Sequence, residues 1–138
     1  MKWVSHILCL LVGGFFIWTG VVKIAVPVDF FQNVLNYQLI GADLSWWVAM
    51  FLPWLEVFAG LGLMLPATRK GGLFWLAGML AVFIVALLSA LMRGLDIDCG
   101  CTGGSGTSVT FALVRNGFLL AALAGVFFID KLCLRKTS

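Results

Sequence analysis

"GGLFWLAGMLAVFIVALLSALM", residues 71–92, holds no charged side chain and no proline. A helix needs about 20 mainly apolar residues to cross a bilayer, and this run supplies them. In hydrocarbon every backbone polar group must be satisfied internally, so the run reads as a spanning helix. Three more stretches, near 5–26, 44–65 and 109–129, have similar length and character. Composition points the same way: 62% of the 138 residues are hydrophobic and 11% charged, against roughly 25% charged in a typical soluble domain. A water-soluble chain of this size cannot hide so much apolar surface. The expected fold is all-α: an integral membrane four-helix bundle forming one membrane domain over residues 1–138. A net charge of +3 without a basic, aromatic-interleaved stripe argues against nucleic acid. The expected medium is membrane lipid.

Lys2 ahead of an apolar run has the look of a secretory signal, yet no small-residue cleavage site follows cleanly. Leu8 is too bulky for a lipoprotein signal ending at Cys9, so a retained first span is expected. Lys2, Arg69, Lys70, Lys131, Arg135 and Lys136 fall on one side of a four-span topology. Lys23, Arg93 and Arg115 fall toward the other, with Asp29, Asp43, Asp96 and Asp98. The positive-inside rule then puts both termini inside and the loop 93–108 outside. Between spans one and two, "PVDFFQNVLNYQLIGAD" (27–43) starts with Pro27 and carries Asp29 in its first turn, both favourable at a helix start. Phe30, Phe31, Val34, Leu35 and Leu39 form one stripe, which predicts a short interfacial amphipathic helix near 28–40, either a lid or a connector. Trp46 and Trp47 suit an aromatic belt at the start of the second span. Gly117, Ala121 and Gly125 recur every four residues; packing against a helix of the same protomer is expected of them, with the oligomeric state open.

The loop "RGLDIDCGCTGGSGTS" (93–108) carries Cys99 and Cys101 with one glycine between them. A disulfide closed over so short a stretch adds little loop-closure stability, and strained, exposed disulfides are the labile or catalytic ones. The glycines around the pair permit close approach of a partner backbone. Redox exchange is thus one reading. Capture of a soft ion such as mercury or copper by two thiolates is another, with Cys9 and Cys133 receiving it near the inner face. A loop without redox role, in a non-catalytic assembly partner, is the third. A structural zinc site lacks ligands, since His6 is the only histidine and belongs to the opposite face. No metal is expected.

Ionisable groups inside spans usually face the bundle interior and pair with one another. Glu56 lies mid-span behind Pro53, Lys23 near the outer end of the first span, and Arg115 early in the fourth. A cluster of Glu56 with Arg115 or Lys23 is expected beneath the Cys loop, as an internal salt bridge, a pocket for a quinone head group or a proton path. Trp54, with Trp18 and Phe58, would wall such a pocket.

"WTGVVK" (18–23), "LPWLEVFAGLGLML" (52–65), "DCGC" (98–101) and Arg115 together resemble the MauE branch of the DoxX-like membrane proteins, over nearly the whole chain. The resemblance implies a bacterial inner-membrane protein of periplasmic redox and disulfide maturation, with Cys99 and Cys101 as the reactive pair on the periplasmic side. MauE is linked to biogenesis of methylamine dehydrogenase, whose small subunit is rich in disulfides. The outline is also similar to the quinone-linked four-helix oxidoreductases DsbB and vitamin K epoxide reductase, which carry two outer cysteine pairs where this chain has one. The implied partners are a periplasmic thioredoxin-like protein or a disulfide-containing client, and the implied cofactor a quinone.

Overall fold

Large apolar side chains cover the outside while polar ones sit within, the reverse of a water-soluble protein. Phe74 and Phe118 are each 75% exposed, and Val82 and Val114 nearly as open, whereas Ser5, Thr19, Lys23, Ser45, Glu56, Arg69 and Asn116 are buried. The structure is a computed structural model that describes residues 2–94 and 108–135, with only the backbone of Leu134. The described residues form five helices and no strand: α1 (Lys2–Ala25), α2 (Pro27–Asn36), α3 (Ala42–Met64), α4 (Arg69–Met92) and α5 (Val109–Arg135). Four of them, all but α2, are long and apolar enough to cross a membrane. The chain is a multi-pass membrane protein. Its long helices begin and end within a few residues of the stretches marked by hydropathy, except that α5 continues well past 129.

The four long helices run up, down, up, down. Around the bundle α1 neighbours α3 and α5, and α4 neighbours the same two. A core of Cys9, Val12, Phe16, Leu63, Leu76, Leu80, Leu123 and Val126 joins them. Without a hydrophobic drive between helices in lipid, close packing must hold α1 to α3, and glycine allows it. A Cβ on Gly60 would stand 2.8 Å from the carbonyl oxygen of Gly13, and one on Gly20 would stand 2.9 Å from that of Pro53. The two backbones touch. Gly60→Ala is therefore expected to lower thermal stability in detergent by about 1–3 kcal/mol, the usual cost of overpacking. Gly78→Ala, where the added carbon meets nothing within 4 Å, should leave the melting curve in place.

The small-residue stripe of α5 does something else than expected. A Cβ at Gly117 or Gly125 would meet nothing within 4 Å, and Ala121 is exposed. That stripe points away from the bundle, so the expected packing within the protomer is corrected. Pro53 sits inside α3, which continues through it without interruption.

The predicted amphipathic helix exists but is shorter than 28–40. It runs Pro27–Asn36, capped by the backbone of Tyr37, and Gln38 follows with φ of 51°. A left-handed residue cannot continue a right-handed helix, so Leu39 lies beyond the stripe. Phe30 is the buried anchor of α2, and Phe31 meets Trp46 of α3 edge-on at 5.4 Å.

Candidate functional site

Lys23 and Glu56 form the polar centre of the bundle. Lys23 sits in the last turn of α1 and Glu56 one turn beyond Pro53 in α3. Because α1 and α3 run antiparallel, Lys23 and Glu56 lie about one turn to either side of the close contact at Gly20, and their long side chains reach across it to meet. Lys23 Nζ donates to Glu56 Oε1 at 2.7 Å and to Oε2 at 2.9 Å. Both are almost wholly buried, 3% and 1% exposed. The ammonium also lies 5.0 Å from the Phe30 ring centre and 5.6 Å from that of Phe83, where ring faces attract a cation. So α1, α2, α3 and α4 all supply something to one charge.

Arg115 and Asn116 of α5 complete the surround. Together with Phe15, Phe16, Thr19, Lys23, Glu56, Leu80, Phe83 and Leu119 they bound a space of about 10 Å³. That is room for about one water molecule, and too little for an aromatic ring. The Arg115 guanidinium also lies 5.9 Å from the Phe15 ring centre. Arg115 thus lines the same small space as the Lys23–Glu56 pair.

Of the residues singled out from sequence, the structure brings Lys23, Glu56 and Arg115 together. Trp54 it does not: that side chain is 51% exposed on the outer surface, as are Trp18 and Phe58. At 3.6 residues per turn, Trp54 and Phe58 each stand about 200° around α3 from Glu56. Cys99 and Cys101 lie outside the described residues. What surrounds their segment is described, at the end of the bundle where α4 finishes and α5 begins. There Arg93 donates through Nη1 to the Gln38 carbonyl at 3.4 Å and through Nη2 to that of Tyr37. Tyr37 packs with Leu87, Ala90, Val109 and Ala112. The C-terminal end of α2 is thereby fastened to both flanks of the segment 95–107.

Beside the ion pair opens a much larger space. A groove of about 520 Å³, almost entirely apolar, runs between α2, α3 and α4 and is lined by Phe30, Val34, Tyr37, Val48, Phe83 and their neighbours. Phe30 and Phe83 line the groove and touch Lys23, so one layer of rings divides groove from ion pair.

Sequence reasoning missed a second polar network at the opposite end. Ser5 Oγ donates to Asp130 Oδ1 at 2.7 Å, and Arg69 Nη1 lies 3.6 Å from Asp130 Oδ2. Cys9, wholly buried, is close by in the core, and Cys133 is half-buried near the end of α5. Asp130 in an otherwise apolar stretch was the available signal. Among the described residues no three His, Cys, Asp or Glu side chains gather as a metal site would require.

The sequence is similar to those of known proteins. The family described as "Methylamine utilisation protein MauE" matches residues 1–129. Methylamine utilization protein MauE of Methylorubrum extorquens (strain ATCC 14718 / DSM 1338 / JCM 2805 / NCIMB 9133 / AM1) is 34% identical over 101 residues, covering 71% of this chain and 54% of that protein. The protein of the same name from Paracoccus denitrificans is 31% identical over 111 residues, covering 79% and 60%. The chain thus spans between half and two thirds of the length of these curated relatives. No solved structure gives a significant match. With the match reaching from α1 into α5 and including the Lys23–Glu56 pair, the chain belongs to the MauE family.

Proposed function

We propose that this chain is a membrane thiol–disulfide oxidoreductase serving disulfide formation at the extracytoplasmic face of a bacterial inner membrane. The name of its relatives points to methylamine utilisation as the setting, with a disulfide-containing periplasmic protein as client. The observation that supports it best is the placement of the described residues on either side of the Cys99-Gly-Cys101 segment. Its flanks stand at the end of the bundle that α2 covers, on the side of the buried ion pair.

In the proposed reaction a thiolate of a thioredoxin-like partner attacks one sulfur of the Cys99–Cys101 disulfide. A mixed disulfide forms and the other cysteine leaves as a thiolate. The partner's second thiol then attacks the mixed disulfide, so the partner departs oxidised and the pair remains as a dithiol. Two electrons and two protons have passed to this chain. A benzoquinone-class acceptor would remove them, and the apolar groove between α2, α3 and α4 fits its ring, whereas the small space beside Glu56 does not. Lys23 and Arg115 hold positive charge at that level of the bundle, and Phe30 and Phe83 keep water away from it. Arg93 holds α2 over the groove.

Purification without reductant tests the reading. Cys99 and Cys101 should be recovered oxidised, should become reduced by a stoichiometric thioredoxin-like dithiol, and should be reoxidised on adding a short-chain ubiquinone. A pair that stays inert toward the dithiol ends the proposal. A pair that exchanges but ignores the quinone keeps the exchange and removes the groove's role.

A further inference from the structure

At the end of the bundle far from the cysteine pair, a second pocket carries a charge pattern that nothing above uses. It measures about 260 Å³ and is lined by Lys2, His6, Pro66, Arg69, Lys70, Asp130 and Cys133. Three cations, Lys2, Arg69 and Lys70, face one carboxylate, so the lining holds two positive charges in excess when His6 is neutral. The start of α4, a 24-residue helix, lies here with no acidic residue in its first turn and no side-chain cap. Thr68, in the capping position, donates its hydroxyl to the Gly62 carbonyl instead. The positive pole of α4 is left without a negative partner of its own.

Arg69 makes this more than a helix end. Its side chain is 9% exposed, yet Nε and Nη2 are buried with no hydrogen-bond partner among the described residues. Its contact with Asp130 is long, at 3.6 Å, and Asp130 gives its other oxygen to Ser5 at 2.7 Å. A buried guanidinium with unmet donors is costly, and guanidinium geometry matches phosphate oxygens. His6 Nδ1 donates to the Lys2 carbonyl at 2.7 Å within α1.

We propose that this pocket binds the phosphate of an anionic phospholipid headgroup. Its height in the bundle selects the lipid over a soluble ion. It sits where four apolar spans terminate, and Trp3, 82% exposed beside Lys2, lies where interfacial aromatics belong. Basic pockets between spans recur as sites for such headgroups. The inference is independent of the cysteine chemistry and of the groove.

The test uses the whole chain in zwitterionic detergent micelles doped with phosphatidylglycerol or phosphatidylcholine. Native mass spectrometry counts bound lipid, and the alkylation rate of Cys133 reports occupancy of the pocket it lines. Retention of phosphatidylglycerol about tenfold or more above phosphatidylcholine is expected, with slower alkylation of Cys133. Each of the exposed-lysine changes Lys2→Gln and Lys70→Gln should cut that preference about fivefold, following the attraction per basic residue near a membrane surface. Arg69→Gln should abolish it; if that variant fails to fold, the double lysine variant decides. Equal retention of the two lipids, or a preference untouched by the lysine changes, overturns the proposal. Displacement of the lipid by millimolar inorganic phosphate at constant ionic strength would assign the pocket to a soluble phosphate, and would overturn the lipid assignment.

Discussion

Glu56→Leu is expected to destabilise the protein by about 3–5 kcal/mol, because it strands the buried Lys23 ammonium without its partner. The reverse change, Lys23→Met, should cost a similar amount by stranding the carboxylate. Combining the two should restore most of the loss, since an apolar pair of similar volume often equals or exceeds a buried ion pair in stability. Thermal unfolding in detergent, followed by loss of monodisperse protein, measures all three variants in one cycle. A coupling below 1 kcal/mol would show that the pair contributes little. The double variant also separates structure from chemistry. Should it fold and still oxidise a dithiol, the ion pair is a fastening; should it fold and fail, the charges act in the reaction itself.

Replacing both Cys99 and Cys101 by serine should remove thiol exchange entirely, leaving a folded protein with the melting behaviour of the parent. The single variants carry more information. In the proposed exchange one cysteine is attacked and the other leaves, so a chain lacking the leaving cysteine keeps a lone thiol. Presented with a partner whose second cysteine is serine and whose remaining one is activated as a thionitrobenzoate disulfide, that thiol should displace thionitrobenzoate and give a mixed disulfide that persists, seen as an adduct on a non-reducing gel and by intact mass. The variant lacking the attacked cysteine should give little adduct. Equal trapping by both would mean that either sulfur is accessible, and absence of trapping by both would remove the pair from the chemistry.

Much of the fold could be read from hydropathy, because a spanning helix must be long, apolar and self-bonded whatever it packs against. The pairing of Lys23 with Glu56 was legible for a related reason: a charge inside a span must find a counter-charge, and few were available. Failures came where tertiary register decides. Trp54 is next but one to Glu56 in sequence, and helical geometry alone excludes it from the same face. Gly117, Ala121 and Gly125 show that a stripe of small residues marks a smooth surface without naming what touches it. From sequence Arg69 reads as a loop charge reporting orientation, whereas the return of α5 to the level of Ser5 buries it against Asp130. No local pattern in "LPATRKGG" (65–72) announces that.

The contact of Gly13 with Gly60 and of Gly20 with Pro53 has a mechanical consequence. Two backbones locked so tightly cannot slide or splay, so α1 and α3 behave as one stiff post. Any opening that admits a visitor is then expected of α2, α4 and α5, which pack around that post.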